Sequence, residues 1–151
     1  MFRKILVGLD GSDTSWAAFH RALDIAQAHG AELWVLSVED HLPHFPGTID
    51  EVQEEEEREN SYFREVQQTA REAAAQQGVA LRTRTVTGHA ADRLIEFARD
   101  AAVDLIVVGH RGHANPWHHL IGSTADRLVD HAPCCVLVER LPAEVTTARG
   151  S

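Results

Sequence analysis

The chain has 151 residues, of which 44% are hydrophobic and 25% are charged, a composition typical of a soluble globular protein that forms one domain. Its formal net charge of -9 argues against general binding of nucleic acid or anionic membranes, because no basic stripe is present to meet phosphates. No apolar run approaches the roughly 20 residues of a membrane span, no signal peptide precedes the first strand, and the adjacent Cys134 and Cys135 build no disulfide framework, so we expect a protein of the reducing cytoplasm.

Strand and helix signals alternate along the chain. Apolar or alternating runs predict strands at residues 5–9, 33–38, 81–86, 105–108 and 134–138. Helical spacing or a helix-forming composition predicts helices around residues 19–26, 51–77, 94–101 and 125–132. Ser12 or Asp13 is placed to cap the start of the first helix, and Gly30 and Gly78 are placed to end the first two helices.

This alternation predicts an α/β fold: a single doubly wound domain over residues 1–141 with a five-stranded, mainly parallel sheet and helices on both faces. The first and fourth strands are the most apolar, so we expect them side by side in the centre, in the order 3-2-1-4-5. The third strand alternates apolar and polar residues and is expected at an edge. Residues 142–151 are predicted to be a disordered tail.

The strand order predicts where a ligand would bind. In open α/β sheets, ligands lie at the carboxyl ends of the strands where the winding direction reverses. That point falls between the first strand, which ends at Asp10, and the fourth strand, which ends at Gly109.

Glycine spacing points to the same crevice. Gly109 and Gly112 are followed, after nine residues, by Gly122 and Ser123, which open the last predicted helix. Glycine allows a ligand to approach the backbone closely, and a helix start offers unpaired N–H groups and a positive dipole end. The two turns therefore form a candidate cradle for phosphates, although glycines that serve only as turn and cap residues would give the same pattern.

The chain resembles the universal stress protein family from Lys4 to about Glu139. Besides the Gly-x2-Gly-x9-Gly-Ser spacing, which is similar to that of the ATP-binding branch of the family, three segments carry the resemblance: residues 4–12, 87–90 and 104–109. The resemblance implies that eight residues bind the nucleotide: Asp10, Val38, Gly109, Arg111, Gly112, Gly122, Ser123 and Thr124.

Within that set, the resemblance places Asp10 near the ribose and phosphates and the backbone of Val38 against adenine. The glycine turns and the Ser123 hydroxyl would meet phosphate oxygens, and Arg111 adds a fork-shaped donor. ATP is the implied ligand, with Mg²⁺ as a candidate bridge between its phosphates. We assign neither a catalytic residue nor a metal site of the protein itself.

The segment between the two glycine turns departs from the family pattern, since it holds Pro116, Trp117 and several histidines. Four histidines occur in or beside it: His110, His113, His118 and His119. No cysteine or carboxylate completes a recognised metal-binding spacing, so a pH-sensitive loop is favoured over a metal site.

The last strand predicts a homodimer. Val136, Leu137 and Val138 lack polar alternation, yet they belong to a strand at the sheet edge, and a bare apolar edge aggregates unless something covers it. We expect this strand to pair antiparallel with a second copy across a two-fold axis, as the resemblance also implies. Packing is the expected role of Cys134 and Cys135 at its start.

These observations predict a cytoplasmic, ATP-binding regulatory protein of the stress-response type, with an unknown protein partner. A slow ATP hydrolase or transferase is the alternative, in which His110 or His113 activates water. The chain has no P-loop lysine motif and no paired acid and base near the glycines, which disfavours an enzyme. A third hypothesis is an interaction module that binds no nucleotide.

Overall fold

The computed structural model of the protein describes residues 1–40, 49–110 and 121–141. The predictions for the histidine-rich segment 111–120 and for the tail 142–151 lie outside these residues. Five strands and four helices alternate in chain order: β1 (Lys4–Gly8), α1 (Asp13–His29), β2 (Glu32–Glu39), α2 (Ile49–Gln77), β3 (Leu81–Thr87), α3 (Ala90–Asp100), β4 (Leu105–Gly109), α4 (Ser123–His131) and β5 (Cys135–Glu139).

The strands form one sheet in the order β3-β2-β1-β4-β5, and all four neighbouring pairs are parallel. The predicted fold class and strand order are confirmed. β1 and β4 lie in the centre, where both faces are covered, which explains their unbroken apolar sequences. β3 lies at an edge, as its alternating sequence predicted.

Two hydrophobic clusters cover the two faces of the sheet. Side chains of α1 and α2 pack on one face against Ile5 and Val7, and those of α3 and α4 pack on the other face against Leu6 and Ile106. Successive residues of a strand point to opposite faces, so each central strand contributes to both clusters.

The first helix begins and ends as predicted. Ser12 is its N-cap, and the Ser12 side chain accepts a hydrogen bond from the Ser15 N–H. Gly30 follows the last turn with φ of 65°, in the left-handed region that glycine adopts without strain.

Asp104 anchors the start of β1. Its carboxylate accepts hydrogen bonds from the N–H groups of Arg3 and Lys4 at 2.9 and 3.1 Å. The Lys4 ammonium donates to the Ala101 carbonyl at 2.9 Å. The start of β1 is therefore tied to the connection between α3 and β4, and the carboxyl ends of the strands lie at the opposite edge.

Two packing predictions at the last helix and strand are wrong. The helical spacing of Ala125, Leu128, Val129 and Ala132, which predicts this helix, also places Val129 on its apolar face. Val129 is instead 58% exposed, because only Ala125 and Leu128 of α4 reach the core. Cys135 is exposed at the start of β5, while Cys134 is half-buried. β5 is an edge strand, and its other residues are only partly covered.

In the part of the chain that the structure describes, no helix is long and apolar enough to cross a membrane.

Candidate functional site

A cleft of about 1140 Å³ opens at the carboxyl ends of the strands. It lies over β1 and β4, where the strand order reverses, so the structure forms a crevice at the place that the topology predicts. Six of the residues predicted to bind nucleotide line it: Asp10, Val38, Gly109, Gly122, Ser123 and Thr124. Arg111 and Gly112 lie outside the described residues.

Asp10 shapes the turn that follows β1. Its Oδ1 accepts hydrogen bonds from the Ser12 N–H at 2.9 Å and the Ser12 hydroxyl at 2.6 Å. Because Ser12 caps α1, Asp10 also holds the start of that helix. Gly11, between the two, has φ of 87°, so the turn depends on a residue that tolerates the left-handed region.

Tyr62 of α2 closes one side of this turn. Its hydroxyl donates to the Asp10 carbonyl at 2.8 Å, and a Cβ added to Gly11 would collide with that hydroxyl. Partial burial, together with the nearby charge of Asp10, raises the pKa of Tyr62. The sequence analysis missed this residue, which lies 52 positions from Asp10 in a helix that reads as exposed.

Gly109 has a packing role that its place in the motif did not indicate. A Cβ added to it would lie 2.8 Å from Cβ and from two main-chain atoms of Thr14, at the start of α1. A real Cβ atom essentially never lies so close to another heavy atom. The end of β4 therefore approaches the first turn of α1 only because residue 109 is glycine.

The start of α4 forms another wall of the cleft. Gly122 caps the helix, its N–H donates to the His110 carbonyl at 2.6 Å, and its φ of -67° is one that any residue adopts. The first N–H groups of a helix have no acceptor within the helix, and the helix dipole makes this end positive. Ser123 and Thr124 therefore present main-chain donors suited to an anion.

His110 is buried, at 7% exposure, directly after β4. Its main-chain N–H donates to the Glu139 carbonyl at 2.8 Å, and its Nε2 lies 3.1 Å from Nη2 of Arg140. His110 is not among the described residues that line the cleft. His113, the other histidine considered as a general base, lies outside those residues.

Charge is distributed unevenly around the cleft. Carboxylates cluster where β2 ends and α2 passes: Glu39, Asp40 and Glu59. Burial raises the pKa of Glu39, and the charges of Glu59 and Glu56 raise it further. On another wall, Arg127 of α4 is paired with Asp92 of α3 at 2.8 Å. Among the described side chains, no group of three or more His, Cys, Asp or Glu could hold a metal ion.

Comparison with known proteins agrees with this architecture. Residues 1–140 match the universal stress protein family. The universal stress protein MJ0531 of Methanocaldococcus jannaschii is 33% identical, over 94% of this chain and 84% of its own length. The solved structure of UspA from Lactobacillus plantarum is 33% identical, with a TM-score of 0.84, over 92% of this chain and 98% of that one.

A universal stress protein crystallised in complex with cAMP is 28% identical, with a TM-score of 0.71, over 91% of this chain and 97% of that one. The family match spans almost the whole chain, and both the relatives and the fold agree with it. The chain therefore belongs to the universal stress protein family.

Proposed function

We propose that this protein binds an adenine nucleotide in the cleft at the carboxyl ends of β1 and β4, and that it acts as a regulatory protein in the cytoplasm. The observation that carries the proposal is the wall formed by the start of α4, which presents main-chain donors at Ser123 and Thr124 beside the end of β4. The family member solved with cAMP supports an adenine nucleotide as the ligand.

The charges of the cleft favour one orientation of the ligand. Phosphates meet the positive end of α4 at Gly122, Ser123 and Thr124, and they avoid the carboxylates of Glu39 and Glu59. The base and ribose then lie toward the end of β2, next to Val38, with Asp10 between the two ends. Arg111 and Gly112 belong to the proposed phosphate site through the family resemblance.

ATP is the proposed ligand, with Mg²⁺ bridging its phosphates. Three phosphates carry more negative charge than the backbone donors of one helix start neutralise, and the described cleft holds several carboxylates. A divalent cation would offset this charge, and Asp10, which lines the same cleft, is the carboxylate proposed to face it. Affinity for ATP should therefore depend on Mg²⁺ more strongly than affinity for AMP.

Isothermal titration of the purified protein with ATP, ADP and AMP, with and without Mg²⁺, tests the proposal. Gly122→Val places a branched side chain at the first turn of α4 and should abolish binding. Ala75→Val is the control, because it adds the same kind of branched side chain on the exposed surface of α2, away from the residues that line the cleft. If the wild-type protein binds none of the three nucleotides, or if Gly122→Val binds as well as wild type, the proposal is wrong.

The same samples separate the alternative functions. Release of phosphate from ATP well above background, abolished by replacing His110 or His113 with alanine, would indicate a slow hydrolase. Recovery of native protein without a ligand, and no thermal shift with any nucleotide, would indicate an interaction module.

We further propose that the protein is a homodimer formed through β5. Val136 and Val138 are only partly buried on an edge strand, and the neighbouring α4 exposes Val129. A second copy paired antiparallel along β5 would cover this apolar edge. Nucleotide binding at α4 would then act on a helix beside the dimer edge, where it can alter the surface that an unknown protein partner meets.

A further inference from the structure

Glu39, the last residue of β2, carries a buried carboxylate oxygen that no group among the described residues satisfies. Its main chain is fixed, since its carbonyl accepts a hydrogen bond from the Gly88 N–H at 2.9 Å. Its side chain belongs to the cleft, and Oε1 is buried without a hydrogen-bond partner among the described residues. A buried acceptor left unpaired is unfavourable and rare, so it calls for a donor from elsewhere.

Within the described part of the chain, the charged groups around Glu39 explain why no side chain supplies that donor. Glu59 and Glu56 of α2 are the charged groups that act on Glu39 most strongly, and both are acids. Arg58 lies on the same wall, but its ion pair is with Glu54, at 3.7 Å.

In the proposed ligand the missing donor is a neutral group, because a nucleotide carries no cationic N–H. A phosphate would be repelled by Glu39 and its two acidic neighbours, and the described residues offer no cluster of ligands for a metal ion. A neutral N–H or O–H remains. In a nucleotide these donors are the exocyclic amine of the base and the ribose hydroxyls, and both belong to the half of the ligand that is proposed to lie beside Val38.

We infer that Glu39 is a specificity-determining residue, which accepts a hydrogen bond from a neutral donor on the nucleoside half of the ligand. This inference rests on the proposed function. In this inference the Glu39 side chain binds the nucleoside, in addition to the main chain of Val38. The protein should therefore distinguish nucleosides that differ in one kind of hydrogen-bond donor.

Binding of three nucleotides to wild type and Glu39→Leu tests the inference and identifies the donor. AMP carries both kinds of candidate donor, purine riboside monophosphate lacks the 6-amino group, and 2′,3′-dideoxy-AMP lacks both ribose hydroxyls. A hydrogen bond to a charged group corresponds to roughly a tenfold change in affinity or more. Wild type should therefore bind one of the two analogues about tenfold more weakly than AMP, and Glu39→Leu should bind AMP and that analogue equally.

Two further variants separate this effect from charge and from folding. Glu56→Leu removes a neighbouring acid on exposed helix surface without removing the acceptor, and it should keep the wild-type preference. Glu39→Gln keeps an uncharged acceptor and should retain part of the preference, even if the leucine variant fails to fold.

Either of two results would overturn the inference while leaving nucleotide binding intact. In one, wild type binds all three nucleotides equally. In the other, Glu39→Leu weakens all three by the same factor, as a purely structural residue would. A wild-type protein that binds none of the three would overturn the proposed function as well.

Discussion

Gly109 and Thr14, which are 95 positions apart, lie so close that no side chain fits between them. A Cβ at position 109 would be 2.8 Å from the Thr14 carbonyl carbon, carbonyl oxygen and Cβ. Two of these atoms belong to the main chain, which cannot rotate out of the way as the end of a side chain can.

Gly109→Ala should therefore destabilise the protein, by about 1–3 kcal/mol, because the end of β4 must move away from α1. Gly8→Ala is the matched control at the end of the neighbouring strand, where the nearest contact is the flexible Leu94 Cδ1 at 3.2 Å. Gly8→Ala should therefore lose less stability than Gly109→Ala. Urea denaturation measures both free energies of unfolding, and equal losses would contradict the prediction.

This contact also marks where sequence reasoning reached its limit. The strand order could be predicted, because buried central strands have continuous apolar sequences and β3 alternates. The location of the crevice followed from that order. The packing role of Gly109 could not be predicted. The contact depends on the distance between α1 and β4 where they cross, and local sequence patterns do not indicate that distance.

Tyr62 should contribute to the turn after β1 through its hydroxyl. Tyr62→Phe removes the hydrogen bond to the Asp10 carbonyl and should lower the free energy of unfolding by about 0.5–1.5 kcal/mol. We expect the lower end of that range, because the residue is 44% exposed and water can replace the donor.

Thr69→Val is the control on the same helix. It also removes a hydroxyl, but one that bonds only within α2, to the Glu65 carbonyl. Its effect should stay within about 0.5 kcal/mol. A Tyr62→Phe variant as stable as wild type in urea denaturation would show that the hydroxyl does not secure the turn.

Glu39 should make the stability depend on pH. Its pKa in the folded protein is raised, first by burial and then by Glu59 and Glu56, so folding disfavours its ionised form. Its contribution to stability is therefore fully present below the ordinary pKa of glutamate and is lost as the pH rises through the raised value.

Glu39→Gln removes this loss, so the stability of the variant relative to wild type should increase as the pH rises above the ordinary pKa of glutamate. Urea denaturation at a series of pH values measures the difference. Glu57→Gln, on the exposed surface of α2, is the control for loss of one charge. The measured quantity is the free energy of unfolding of Glu39→Gln minus that of wild type. A value that stays constant with pH, or that falls as the pH rises, would contradict the prediction.

The proposed dimer can be tested on the main chain of β5. The Glu139 carbonyl accepts from the His110 N–H, so residue 139 points its polar groups at β4. Directions alternate along a strand, and the Val138 N–H therefore faces the open edge, whereas the Leu137 N–H faces β4. Val138→Pro should keep the fold and give a monomer, because it removes a donor only from the free edge.

Leu137→Pro is the matched control, and it should destabilise the fold by breaking the ladder with β4. Light scattering during size-exclusion chromatography gives the mass of each variant, and circular dichroism reports whether it is folded. A wild-type mass that stays monomeric at every concentration would refute the dimer, as would a folded Val138→Pro variant that remains dimeric.

The residues that the sequence analysis missed at the cleft share one property. Both depend on α2, whose polar sequence predicts its length but not its neighbours: Tyr62 belongs to this helix, and Glu39, at the end of β2, is affected by the charges of its acids. Tyr62 is the only tyrosine in the chain, a weak signal that could have been pursued. Glu39 directly follows Val38, but nothing in the sequence indicates that an oxygen of its carboxylate is buried.

The hydrogen bonds of Asp104 and Lys4 hold the start of β1, at the end of the strands that lies away from the cleft. These contacts lie at the end of the strands opposite the proposed ligand site, apart from the side chains proposed to select the ligand. This separation leaves the tip of β2 open to evolutionary change at little risk to the scaffold. Relatives with the same framework can therefore differ in sequence at this tip, and a laboratory search for altered ligand preference should begin at positions 38–40.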